Sequence, residues 1–316
     1  MCDFKDDSHG SQKPLLVSIV GPTAVGKTSL GIKLANHYKT EIISADSRQL
    51  YKEMTIGTAK PSKDELAQVR HHFVDSHSIL DEYSAGFFEQ NAKVKIAQLG
   101  KVHPVLFVVG GSTLYLKAIW EGFDEIPKVS KSEREILNNS LKTKGLPYLL
   151  AELKESDPEF YQQVDHKNGQ RIVRALEVIR SSGKPFSSFR KGERQQLPYK
   201  NLKVGIELDR EALYQKINGR MDVMIRAGLF DEASALKKHR DLNALQTVGY
   251  KEIFEYLDGK YDRSEAIRLL KRNTRRYAKR QLTWLRSYDD IFWYHPASFG
   301  KITELIDSHL SQKQGS

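Results

Sequence analysis

Gly21-Pro22-Thr23-Ala24-Val25-Gly26-Lys27-Thr28 has the G-x-x-x-x-G-K-T spacing of a phosphate-binding loop. Its glycines let the backbone curl so that successive N–H groups point inward at anionic oxygens. The helix that such a loop opens adds the positive end of its dipole, Lys27 adds a full charge, and the Thr28 hydroxyl can ligate magnesium. A second candidate is Asp46, at the end of the apolar run Glu41-Ile42-Ile43-Ser44-Ala45. Such a carboxylate can accept a proton, cap a following helix or join a magnesium shell, and the residues alone leave these roles open. A third run, Val105–Val109, ends in Gly110-Gly111-Ser112.

These groups need elements to carry them. Leu15–Val20 before the loop reads as a strand, and Leu30, Leu34, His37 and Tyr38 after it mark an amphipathic helix. Helical patterns separate the three apolar runs, so a parallel α/β sheet of the P-loop NTPase type is the expected core. Ligands in such sheets collect beyond the carboxyl ends of the strands, which sets Asp46 and Ser112 on the rim beside the P-loop. From Glu121 to Lys200 strand signals vanish. Charged helical segments around 133–141, 149–154 and 170–181 replace them, the last broken at Ser181-Ser182-Gly183-Lys184-Pro185. The expected organisation is a tail over 1–14, a core over 15–120 and 201–316, and a helical insertion over 121–200. Leu202–Leu208 alternates and returns the chain to the sheet; the remainder is expected to be helical up to the polar tail Ser311–Ser316.

A chain of 316 residues can bury a full core, and its net charge of +10 points to an acidic partner such as nucleic acid. The only cysteine is Cys2, which excludes a disulfide framework and a cysteine-based zinc site. His71-His72 lacks metal-site spacing and reads as a structural or surface pair. No apolar run approaches a membrane span, and Met1–Lys13 lacks a signal-peptide segment, so a cytoplasmic protein is expected.

Two helical segments are basic. In Gln170-Arg171-Ile172-Val173-Arg174 the arginines share a face, while Ile172, Leu176 and Ile179 mark a buried stripe. Arg268, Lys271, Arg272, Arg275, Arg276, Lys279, Arg280 and Arg286 lie in a run with no acid between them. Ile267, Leu270, Tyr277 and Leu285 keep one side apolar, which leaves the basic face free for backbone phosphates, Arg275 and Lys279 among the contacts.

Together these motifs resemble the bacterial tRNA dimethylallyltransferases, the IPP transferase family. The P-loop matches with its proline, and Asp46-Ser47-Arg48-Gln49-Leu50-Tyr51 and Ile56-Gly57-Thr58-Ala59-Lys60-Pro61 match the next signatures. His71-His72, Tyr83-Ser84-Ala85, the segment from Gln170 to Glu177, Val248-Gly249-Tyr250-Lys251-Glu252 and the segment from Tyr277 to Trp284 follow in the family's order. One position departs: the family has threonine after the glycine pair, where this chain has Ser112, with Thr113 next to it. The zinc finger of some eukaryotic relatives is absent.

The resemblance implies transfer of a dimethylallyl group from dimethylallyl diphosphate to the exocyclic amine of the adenosine 3′ of a tRNA anticodon. It implies Arg220 as a diphosphate clamp, Asp46 as proton acceptor, Ser112 (or Thr113) orienting the amine, and Mg2+ on Thr28. Contacts to the anticodon stem-loop are implied for Asp46, Ser47, Arg48, Gln49, Ser112, Arg134, Gln170, Arg171, Ile172, Val173, Arg174, Gln246, Thr247, Val248, Gly249, Tyr250 and Lys251. The working form is taken as a monomer. A small-molecule kinase and a non-enzymatic RNA-binding P-loop protein are the rival readings; the run Val105–Val109 ends in glycines where a nucleotide kinase of this type carries a metal-binding aspartate.

Overall fold

The computed structural model describes residues 13–127, 129–190 and 196–311. Cys2, most of the expected 1–14 tail and residues 312–316 lie outside the described residues.

Six strands form one sheet: β1 (Leu15–Val20), β2 (Ile42–Ala45), β3 (His71–His72), β4 (Val105–Gly110), β5 (Lys200–Ile206) and β6 (Ile291–Tyr294). Their order is β3-β2-β4-β1-β5-β6, and every neighbouring pair is parallel. The central strands β1 and β4 are buried along their whole length. That is why they read as continuous apolar runs rather than as an alternation. Ser18 interrupts β1 without penalty, because its hydroxyl accepts from Trp120 Nε1 at 2.9 Å.

Register places the chemistry. Val20 stands opposite Gly110, and Ala45 also stands opposite Gly110, so β1, β2 and β4 end in one row. The P-loop, Asp46 and Gly111-Ser112 therefore leave the sheet from the same line, on the carboxyl rim.

Two strands go beyond the expectation. The four residues of β6 sit within the stretch expected to be helical, and they extend the sheet past β5. Ile291-Phe292-Trp293-Tyr294 is an apolar run of only four residues, too short for periodicity to tell a strand from a helical segment. The histidine pair forms the edge strand β3, where His72 Nε2 meets Glu41 at 2.5 Å and His71 Nδ1 meets the Val69 carbonyl at 2.8 Å. Burial lowers the pKa of both imidazoles. Among the described residues no helix is long and apolar enough to cross a membrane.

The chain divides into two compact units, with Gly122–Gln195 separate from the rest. That smaller unit has helices Lys131–Lys144, Leu146–Ser156, Pro158–Gln163 and Gly169–Ser182 around its own core of Leu137, Leu149, Leu153, Phe160, Ile172 and Leu176. The short helix at Pro158 begins on the Asp157 carboxylate, which caps the Phe160 N–H at 3.0 Å. A cap followed by proline is the usual start signal for such a helix.

Candidate active site

The P-loop is built against β5 and the long helix Arg263–Leu285. Gly21 has φ 149°, and a Cβ there would lie 2.4 Å from the Ile206 carbonyl oxygen, so no larger residue fits. The helix Lys27–His37 starts directly after Gly26 and aims its N-terminus at the loop. Lys27 Nζ donates to the Pro22 carbonyl at 2.8 Å and so lies across the loop. Burial, with the Arg220 guanidinium as the next cause, brings the Lys27 pKa down to about 7, while Asp46 partly offsets this. Arg220, from the helix Arg210–Arg226, donates to the Thr23 hydroxyl. Its own pKa is lowered by burial and supported by Asp46.

A cavity of about 250 Å³ opens here, lined by Thr23, Ala24, Gly26, Lys27, Thr28 and Ser29 with Asp46, Gln49, Val109 and Arg220. A smaller one of about 90 Å³ shares Thr23, Asp46 and Arg220, and adds Arg48, Met221 and Tyr277. Burial, then the Asp46 charge, pushes the Tyr277 hydroxyl up to about 12. The P-loop, a guanidinium and a carboxylate thus converge from three separate stretches of sequence.

Asp46 divides its two oxygens. Oδ1 accepts from the N–H groups of Arg48 (2.9 Å) and Gln49 (3.2 Å), as a turn cap does. Among the described residues Oδ2 has no hydrogen-bond partner, so one oxygen caps the turn and the other is left unengaged. Ser112 is engaged: its Oγ accepts from Ser47 N at 2.8 Å and donates to Ser47 Oγ at 3.1 Å. That hydroxyl fastens the end of β4 to the Asp46 turn. Thr113 is the first residue of the helix Thr113–Trp120 and is half-buried.

The other expected contacts fall into two groups. Arg48, Thr247, Val248 and Gly249 line the smaller cavity, and Gln49 Nε2 donates to the carbonyls of Thr58 (3.2 Å) and Ala59 (3.1 Å). Gln246, Lys251, Gln170 and Arg171 are exposed. Three residues need correction as RNA contacts. Ile172 and Val173 are buried in the core of the smaller unit, and Tyr250 is wholly buried, its hydroxyl donating to Glu232 at 2.6 Å. Arg134 and Arg174 both pair with the buried Glu177, at 3.0 and 3.2 Å.

The basic helix also needs correction. Its face is not free throughout, because Arg268 pairs with Glu265, Lys271 with Asp222 and Arg286 with Glu207. Its buried stripe is Ala266, Leu270, Thr274, Ala278, Gln281 and Leu285; Ile267 and Tyr277 are only half-buried.

Two residues of the site have no role in the sequence reading, although the first lies within the matched segment from Tyr277 to Trp284. Gln281 is 3% exposed; its Oε1 accepts from Thr23 N at 2.9 Å and its Nε2 donates to Gly111 O at 2.8 Å. A Cβ on Gly111 would come 2.4 Å from that amide nitrogen. Its signal was a polar residue at an apolar-stripe position of the helix. Glu232 accepts the N–H groups of Thr55, Ile56 and Gly57 at 2.8–3.0 Å and the Tyr250 hydroxyl. No local pattern marks Glu232, since its partners lie far away in sequence.

A model of the family described as IPP transferase matches residues 49–288. The tRNA dimethylallyltransferase of Christiangramia forsetii is 52% identical, over 94% of this chain and 98% of that protein. The crystal structure of the full-length tRNA isopentenylpyrophosphate transferase of Bacillus halodurans is similar, with 36% identity and a TM-score of 0.71 over 96% of this chain and 98% of that one. A eukaryotic dimethylallyltransferase described as acting on tRNA is 25% identical, with a TM-score of 0.77 over 91% of this chain and 75% of that one. With its P-loop, Asp46 and Arg220 gathered on one rim, the chain belongs to the IPP transferase family.

Proposed function

We propose that this protein transfers a dimethylallyl group from dimethylallyl diphosphate to the exocyclic amine of the adenosine 3′ of a tRNA anticodon. The observation that carries this reading is the convergence of the P-loop, Arg220 and Asp46 on one cavity in a chain of this family. We further propose that it works as a monomer in the cytoplasm.

The P-loop grips a diphosphate whatever is attached to it. The allylic carbon–oxygen bond breaks, and its electron pair leaves on the diphosphate. Loop N–H groups, Lys27 and Arg220 stabilise that charge. The adenine nitrogen forms the new bond to the allylic carbon, and its proton passes to Oδ2 of Asp46. The adenine must leave its stack to reach this rim, so a flipped nucleotide is expected. Ser112 acts through Ser47 by holding the Asp46 turn in place.

Among the described residues no three His, Cys, Asp or Glu cluster to hold a metal. The donor set fits a magnesium ion held chiefly by the substrate's own oxygens, with the Thr28 hydroxyl and few protein ligands. Magnesium bound there would neutralise part of the departing diphosphate's charge. The test is incubation with unmodified tRNA and dimethylallyl diphosphate, followed by mass analysis of the nucleosides. A dimethylallyl adduct confined to that adenosine is the expected result, and an unmodified nucleoside rejects the reading.

A further inference from the structure

A second cleft, of about 600 Å³, lies between the helices Arg210–Arg226 and Arg263–Leu285. Arg210, Tyr214 and Asn218 line it from the first helix, and Arg272, Arg275, Arg276 and Lys279 from the second. Five cations share this lining with no carboxylate. Among the described residues none of the five has an ion-pair partner, although Arg268 and Lys271 on the same long helix, and Arg286 just past its end, are all paired. The distribution is therefore not that of a uniformly basic helix: its acids serve the positions outside the cleft.

Neutral contacts hold the cations close together. Arg275 donates to Asn218 Oδ1 at 2.7 Å, and the guanidinium carbons of Arg210 and Arg275 lie 5.3 and 5.7 Å from the centre of the Tyr214 ring. Each like-charged neighbour raises the electrostatic cost of the empty cleft, and an anion removes it. Arginine forks suit phosphate oxygens in particular. Arg272, Arg276 and Lys279 span eight residues of helix, about 10 Å from first to last, which is room for more than one phosphate of a polynucleotide.

We propose that this cleft is a seat for the ribose-phosphate backbone of the RNA substrate, separate from the P-loop, with Arg210, Arg272 and Arg276 joining Arg275 and Lys279 as phosphate contacts. The proposal rests on RNA being the substrate.

The test compares the full chain with the triple variant Arg210→Gln, Arg272→Gln, Arg276→Gln. Affinity for an anticodon stem-loop RNA is measured across a salt series, and affinity for dimethylallyl diphosphate separately. The expected result is RNA binding weakened on the order of 10–100-fold. The log–log salt slope should be shallower by about 0.7–0.9 for each lost contact, with donor affinity within about twofold. An unchanged RNA affinity and slope overturns the proposal, and so does an equal loss of donor affinity, which would make the cleft a free-phosphate site. If the triple variant does not fold, Arg276→Gln alone, at an exposed side chain, reads the same slope with a change of about 0.7–0.9. A wild-type protein that binds the RNA but forms no dimethylallyl product rejects the catalytic reading and leaves the slope comparison valid.

Discussion

Gln281 holds Thr23 by its backbone: the amide oxygen accepts from Thr23 N at 2.9 Å, while the amide nitrogen donates to Gly111 O at 2.8 Å. One buried side chain thus sets the spacing between the P-loop and the turn that follows β4. Because Gln281 belongs to the same helix as Lys279, the basic helix is also the strut of the P-loop.

Gln281→Met keeps the volume and removes both hydrogen bonds. Two buried backbone groups lose their partners, at about 1–3 kcal/mol each in stability. The expected kinetic signature is a raised KM for the donor and a lower kcat, with RNA affinity unchanged. Gln281→Glu, which still accepts from Thr23 N, should recover part of the melting temperature. A Met variant with wild-type donor KM would show that the bridge only packs the helix.

Glu232→Gln tests the second missed residue. The carboxylate accepts four donors with its two oxygens, and an amide would turn its NH2 toward two of them. A destabilisation of about 2–4 kcal/mol is expected from those two orphaned groups. Faster hydrogen exchange should be confined to the amides of residues 55–57, since the strand ladder does not depend on them. Unchanged exchange there would show that the loop holds without the carboxylate.

The parts of this architecture that could be read in advance share a property: their cause is local. The P-loop announces itself because conformation and chemistry require the same residues at fixed spacing, and β1 and β4 do so because burial on both faces leaves an unbroken apolar run. Asp46 was visible as a strand-end carboxylate, yet its division between cap and acceptor depends on where Arg48 and Gln49 fold back. Arg220, Gln281 and Glu232 are set by partners roughly 170–260 residues away, and no periodicity carries that information. The salt bridges that occupy Lys271 and Arg286 were hidden for a related reason. An acid-free run says nothing about the acids that Asp222 and Glu207 supply from elsewhere in the fold.

Lys27→Ala should weaken binding of dimethylallyl diphosphate by roughly 10–100-fold, since charge-assisted hydrogen bonds to phosphate contribute about 1.5–3 kcal/mol. RNA affinity should change little, because Lys27 lies across the P-loop on the Pro22 carbonyl and does not line the basic cleft. Isothermal titration with each substrate separately measures both. Normal donor affinity in this variant would remove the P-loop from the donor site.

The mechanism turns on Asp46. Asp46→Asn preserves the turn, since an asparagine oxygen can still accept from Arg48 and Gln49. The change falls on the second position, where an NH2 replaces the oxygen that would take the proton. If Asp46 is the proton acceptor, the loss belongs to the chemical step, on the order of 10²–10⁴-fold or about 3–5 kcal/mol in the barrier. Donor and RNA affinities should change far less, because the loop, Lys27 and Arg220 remain. A carboxylate that mainly held magnesium would behave differently: asparagine would weaken metal-dependent donor binding, and added magnesium would restore much of the rate. Single-turnover rates at saturating donor and RNA, taken across a magnesium series, distinguish these outcomes. A slow step that magnesium does not rescue is the expected result; a rate within a few-fold of wild type, or full rescue by the metal, would assign the proton to another group. The free Oδ2, beside Arg220 on the shared cavity rim, is the reason to expect the former.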